Sequence, residues 1–343
     1  MKYTPLSLIG ARAGFVAAAL VLSAPAAHAQ EKVRMLLDWA FQGPSAVFVN
    51  AVDKGYFAAE GLDVSIDRGY GSADAVTKLA SGTYDIAFGD INSMMEFNTK
   101  NPDKTQMVGI FMMYDRAPLA VVTLDSAIKT PKDLEGKKMV TSPGAADLRL
   151  FPLFARLAGV DQGKISFVNV KPPLREPMLL KGEAEASTAF YFTSYMSLKA
   201  LGLDMNKMKA FMYADYGIKI YGNSLMTSVD YAKAKPETVK KFNRAIAKSM
   251  KDVIAAPEAS IASVKKRDGT IIDAIEAERL IIVNKESVLT PFVKENGFGT
   301  IDKVRMELAI EQVAEALEMP RKPKVDEVFN DSFLPPREQR LVN

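Results

Sequence analysis

Apolar residues in this chain come in short runs and alternations separated by glycine. Residues 33–37 form a short, mainly apolar run suited to a buried strand. Ser45 stands where an N-cap belongs for a helix running to Asp53, and Gly55 then stops that helix. Leu62, Val64 and Ile66 alternate with Asp63 and Ser65, the period of a strand. Gly69 and Gly71 break it, and Ser72 is placed to cap a helix whose apolar face is Ala73, Val76, Leu79 and Ala80. Residues 84–88 and 106–113 read as further strands, with a helix over about 91–98 between them. A β-α-β-α-β series of this kind predicts a parallel sheet covered by helices.

A second series follows the same plan. Residues 117–123 form an extended apolar segment after which 138–141, 165–170 and 186–190 read as strands, with helices at 145–158 and 174–181. Another extended segment covers 219–228. Two extended crossings between two similar α/β units describe a hinge, with a cleft between the units. The expected division is residues 30–116 plus 222–343 in lobe 1 and 117–221 in lobe 2, which also suits a length prior of roughly 100 to 200 residues per domain. The rest is helical. Pro236 fits a first helical position, with Val239, Phe242, Ile246 and Val253 on one stripe, and Met306, Ile310, Val313 and Leu317 make another. Both stripes are expected to pack back onto lobe 1.

Composition changes the picture mainly at the N-terminus and in what it excludes. Lys2 and Arg12 precede or flank a mostly apolar stretch over 14–27, and Ala27-His28-Ala29 supplies the small residues of a cleavage site. Residues 1–29 therefore read as a signal peptide, and the apolar stretch is shorter than the roughly 20 residues a membrane span needs. The chain has no Cys, so no lipid-anchoring Cys, disulfide or thiolate chemistry is expected. The expectation is a free periplasmic protein. Its only His, His28, lies in the leader, which removes a Ser-His-Asp triad, a Cys-His pair and a His-ligated zinc site from consideration. No metal or cofactor is expected. Basic and acidic residues are nearly balanced and dispersed, which argues against a nucleic-acid partner.

Several residues could touch a solute. Trp39, the only Trp, follows the first strand, and ligands of open α/β sheets bind at the carboxyl ends of strands. Gln42 follows in the same loop. Gly89-Asp90-Ile91-Asn92-Ser93 opens a helix, whose free backbone N–H groups could hold an anion or an amide oxygen, while Asp90 could equally be an N-cap. The charge of Asp90 favours a ligand with an amino group or hydroxyl. Thr141-Ser142-Pro143-Gly144 is the matching turn of the second series, a candidate cradle for a carboxylate, sulfonate or phosphate through Ser142 and Gly144, with Arg149 in support. Arg116, beside the first crossing, could fork onto a ligand carboxylate or pair with Asp115 and brace the hinge. Tyr191 and Tyr221 complete an expected aromatic lining.

The segments Leu37-Asp38-Trp39, Asp53-Lys54-Gly55-Tyr56-Phe57, Glu60-Gly61-Leu62-Asp63-Val64 and Leu79-Ala80-Ser81-Gly82-Thr83-Tyr84-Asp85-Ile86-Ala87 resemble the periplasmic substrate-binding proteins of ABC importers. More narrowly, they are similar to the group that carries sulfonates, nitrate, taurine and thiamine-pyrimidine precursors, which shares its fold with the fungal thiamine-pyrimidine synthase. The resemblance implies a monomeric type II periplasmic binding protein whose lobes close on one small organic solute, planar or anionic, and then dock on a permease and ATPase complex. It also implies that Trp39 stacks on a planar ligand. Two departures stand out. The family's acidic residue a few positions after the tyrosine matched by Tyr191 is replaced by Tyr195, and Gly43, Pro44 and Ser45 occupy the loop where Asn and His are usual. The synthase's Cys-rich and His elements are missing too, so its chemistry is not expected. The rival expectations are an exported carboxylate-based enzyme and a ligand-sensing partner of a membrane receptor.

Overall fold

The computed structural model describes residues 1–4 and 29–342, so most of the expected signal peptide, including His28, lies outside the described residues. Two five-stranded sheets carry the molecule. In the first, β1 (Glu31–Leu36) pairs in parallel with β2 (Leu62–Asp67) and β3 (Ile86–Asp90). The sheet is not wholly parallel as expected. After β4 (Met107–Met112) the chain crosses to the second sheet and returns as β10 (Asn223–Ser228), which inserts between β3 and β4 and runs antiparallel to both.

The second sheet repeats this plan. β6 (Lys138–Thr141) pairs in parallel with β7 (Ser166–Asn169) and β8 (Ala186–Phe190), while β5 (Leu119–Thr123) lies antiparallel between β8 and β9 (Lys209–Met212). Each crossing segment is thus itself a strand. The reason is visible in β5, whose Leu-Ala-Val-Val-Thr is buried at every position and so belongs inside a sheet with both faces covered. β9 was not expected, since four residues with a leading Lys give almost no alternation to read.

Local chemistry moves several boundaries. Ser45 holds the N-cap position of the helix Ala46–Asp53, as expected, but its side chain makes no capping bond: it ends a short turn, Gly43–Ser45, and its hydroxyl donates to the Gln42 carbonyl at 2.6 Å. Ser72 is the first residue of the helix Ser72–Ala80 rather than its cap. The cap position is Gly71, whose φ of 134° is open to glycine alone. The helix expected at 145–158 is two pieces, Ala146–Arg149 and Phe151–Leu157, because Pro152 has no N–H to continue the first. The helix at 174–181 is Arg175–Leu180.

Of the two C-terminal stripes, Val239, Phe242, Ile246 and Val253 on the helix Pro236–Ala255 are fully buried against the first sheet's helices, with the Phe242 ring 4.7 Å from that of Phe57. Met306, Ile310 and Val313, on the helix Lys303–Ala316, sit in a cluster that also holds Phe154 and Tyr213 of the second unit. That helix therefore touches both units.

Candidate functional site between the two sheets

The carboxyl ends of β1 and the first turns of the second unit face each other across a cavity. From the first unit come Asp38, Trp39, Gln42 and Pro44, just past β1, and Asn223 at the start of β10. The second unit contributes Ala145, Asp147, Arg175, Phe190, Phe192 and Thr193. The cavity measures about 50 Å³, room for a few waters. The units also touch directly at a pair of glycines. A Cβ on Gly71 would lie 2.9 Å from the Gly144 backbone, and Ala73 N–H donates to the Gly144 carbonyl at 3.1 Å.

The polar wall is rich in acceptors. Asp38 Oδ2 accepts from Ser72 Oγ at 3.0 Å and from Asn223 Nδ2 at 2.8 Å. The other amide atom of that Asn, buried Oδ1, has no partner among the described residues. Opposite, Arg175 donates through Nη1 to Asp147 at 3.1 Å and forks through Nε and Nη2 onto Glu176 at 3.0 and 2.9 Å. The Arg175 guanidinium lies over the Trp39 ring, 5.6 Å from its centroid, a cation–π contact from one wall of the cavity to the other. Burial pushes the Asp38 carboxyl up to about 6 and also raises Asp147, whose charge in turn acts on Asp38. With the Asp38 and Asp147 carboxylates on the wall and Glu176 behind it holding the one guanidinium, this wall favours hydrogen-bond donors or a cation over an anion.

Of the residues singled out in the sequence, Trp39 and Gln42 line the cavity. Asp90 and Asn92 lie beneath it with no exposed surface. Asp90 is the N-cap of the helix Ile91–Lys100, accepting from Ser93 N–H at 2.8 Å, Ser93 Oγ at 3.0 Å and Asn92 Nδ2 at 2.8 Å. Ser142 is buried and off the cavity wall, and Gly144 spends its carbonyl on Ala73. The helix that follows has a single turn and carries Asp147, so the expected anion cradle is not built there. Arg149 turns away to pair with Glu96 of the first unit, with Nε at 2.8 Å.

Arg116 and Tyr221 lie at the crossings, away from the cavity. The Asp115 partner is Arg305 at 2.9 Å rather than Arg116, because Arg305 arrives from the helix Lys303–Ala316 with its face 4.0 Å over the Tyr221 ring. Tyr191 packs on Tyr195 at 5.4 Å, leaving Phe190 and Phe192 as the aromatic lining on that side. Sequence reading missed Asp38, Asp147, Arg175 and Asn223. Asp38 was adjacent to Trp39 and carried a signal. Arg175 had none, since a charged residue in the first turn of an expected helix over 174–181 reads as a solvated position.

Residues 43–260, from the loop behind Trp39 into the helical tail, match the family described as NMT1/THI5 like. The chain belongs to this family. Among curated relatives it is 25% identical over 286 residues to the formylaminopyrimidine-binding protein of Halalkalibacterium halodurans, covering 82% of this chain and 79% of that one. It is 24% identical over 251 residues to the riboflavin-binding protein RibY of Chloroflexus aurantiacus, covering 70% and 68%. In structure it is similar to the aliphatic sulphonate binding protein SsuA of Escherichia coli, with a TM-score of 0.68 at 15% identity over 87% of this chain and 97% of that one. The nitrate-binding protein NrtA of Synechocystis PCC 6803 gives 0.66 at 13% identity over 89% and 87%. The fold is therefore the type II periplasmic binding protein fold of ABC-import solute-binding proteins.

Proposed function

We propose that this protein is the solute-binding component of an ABC importer, and that its solute is a small planar heterocycle presenting N–H donors, of the aminopyrimidine class. The observation that carries this reading is the cavity wall, which Trp39 lines together with the acceptors of Asp38, Asn223 Oδ1 and Asp147. Stacking on the indole contributes about 0.5 to 1.5 kcal/mol beyond burial. An N–H partner for a buried unpaired acceptor relieves a cost of about 1 to 3 kcal/mol. The formylaminopyrimidine-binding relative supports the class. The anionic alternative expected from the sequence has no support from a wall of this charge.

In this reading the lobes are residues 30–116 plus 222–343 and 117–221, and solute held by both stabilises the closed form in proportion to its differential affinity. The leader read in the sequence supports export to the periplasm, where a permease and ATPase complex would take the solute from a monomer. No catalytic step is assigned. A thermal-shift panel of aminopyrimidines, alkanesulfonates, nitrate, aromatic carboxylates and riboflavin tests the proposal. An amino-substituted pyrimidine should raise the melting temperature of the wild type but not of Asp147→Asn. A shift with sulfonates or nitrate alone would contradict it.

A further inference from the structure

The two units are held together on the cavity side by contacts of unequal character. Arg149 with Glu96, Arg156 with Glu315, and Lys199 with Glu278 cross between them, but the cationic side chains are 38%, 39% and 39% exposed. The Arg156 and Lys199 pairs are exposed on both sides, so they are screened and contribute little, whereas Glu96 is 6% exposed and is shared with Lys100 of its own unit. Besides the Ala73–Gly144 backbone bond, a buried side chain also crosses. Arg279, on the helix Asp273–Val283 of the first unit, is 2% exposed and donates through Nη1 to two backbone carbonyls of the second, Phe192 at 3.2 Å and Thr193 at 2.8 Å. Both of those residues line the cavity.

The same guanidinium forks onto Glu276, one turn earlier, through Nε at 2.9 Å and Nη2 at 3.0 Å. Glu276 Oε2 also accepts from the backbone N–H of Gly43 at 2.6 Å. Gly43 belongs to the loop that carries Gln42 and Pro44 into the cavity. It lies so close to the helix that a Cβ there would be 2.1 Å from the Glu276 carbonyl. A continuous path thus runs from the loop behind Trp39, through Glu276 and Arg279, to the first turn of the helix Tyr191–Ala200 across the cleft. Separating the units breaks only its last link. Arg279 would lose both carbonyls yet keep its carboxylate, so its charge stays paired in either arrangement while its hydrogen bonds are complete in one.

We propose that Arg279, oriented by Glu276, is the latch that holds the closed form and so sets how long solute is retained. This role rests on the two-lobed binding reading above, but its first test needs no solute. Because the chain has no Cys, Tyr70→Cys and Lys171→Cys place one label on each unit at exposed positions near the cleft. Without added solute, Arg279→Met in that background should shift the inter-label distance distribution toward longer separations relative to the parent. An unchanged distribution would overturn the latch. Stopped-flow with 4-amino-2-methylpyrimidine as probe should then show a dissociation rate at least fivefold faster and an association rate within twofold.

A lower melting temperature with unchanged lobe separation and dissociation rate means that Arg279 is only structural, which also overturns the proposal. Should Arg279→Met not fold, Arg279→Lys keeps the charge but cannot fork onto Glu276 while reaching both carbonyls. It should show the same changes at smaller amplitude, and wild-type behaviour would count against the latch. If the pyrimidine does not bind the wild type, the solute assignment fails while the distance measurement still decides the latch.

Discussion

Asp38 is a carboxylate held out of water by the cavity wall, with burial raising it to about 6 against two stabilising hydrogen bonds. An acid whose folded value lies above its unfolded one binds its proton more tightly when folded. Its contribution is therefore complete below about pH 4 and is lost as pH rises through about 6, amounting to about 2 to 3 kcal/mol. Asp38→Asn should flatten that part of the pH dependence and stabilise the free protein at pH 7.5, as urea unfolding at pH 4.5 and 7.5 would show. The same substitution should weaken an N–H-donating solute at least tenfold. A residue kept ionised at a stability cost yet irrelevant to binding would contradict the assignment. Trp39→Ala should likewise cost about tenfold in affinity, or roughly 1.4 kcal/mol, and Trp39→Phe less, by titration calorimetry.

At the scale of elements, strand and helix periodicity was plain in the sequence wherever one face was buried. Leu62, Val64 and Ile66 announced β2, and the Val239 stripe announced its helix. What the pattern could not carry was sheet order, because β5 and β10 are apolar segments whose antiparallel neighbours come from distant parts of the chain. The caps failed for a related reason. Ser72 has a cap-like position, but its hydroxyl donates to Asp38 and accepts from Asp90 N–H at 3.1 Å, a tertiary use that no local rule anticipates. Asp90 shows the reverse, a suspected ligand contact that is fully spent as a helix cap. Asp90→Ala should therefore cost about 2 kcal/mol in urea unfolding by removing the cap and leaving Asn92 and Ser93 short of an acceptor. Affinity should change less than threefold, which separates capping from solute contact.

The whole molecule turns on two crossings and one clasp. Arg305 reaches Asp115 by its carboxylate and carbonyl, and the Ile220 carbonyl at 3.3 Å, tying both crossings to the C-terminal helix. Asp115 is only 3% exposed and otherwise keeps the Thr290 hydroxyl at 2.6 Å. Removing the guanidinium in Arg305→Met leaves a buried charge half-satisfied, and unfolding experiments should register a loss of about 3 kcal/mol. The two-lobed plan was legible because each half repeats the strand and helix series. Which residues meet across the cleft was not, since Asp147 and Arg175 acquire meaning only when the second unit faces Trp39. Titration calorimetry of the wild type with 4-amino-2-methylpyrimidine and with ethanesulfonate tests the central claim most directly. The account predicts one-to-one, saturable binding of the pyrimidine and none of the sulfonate. Binding of ethanesulfonate without the pyrimidine would contradict it.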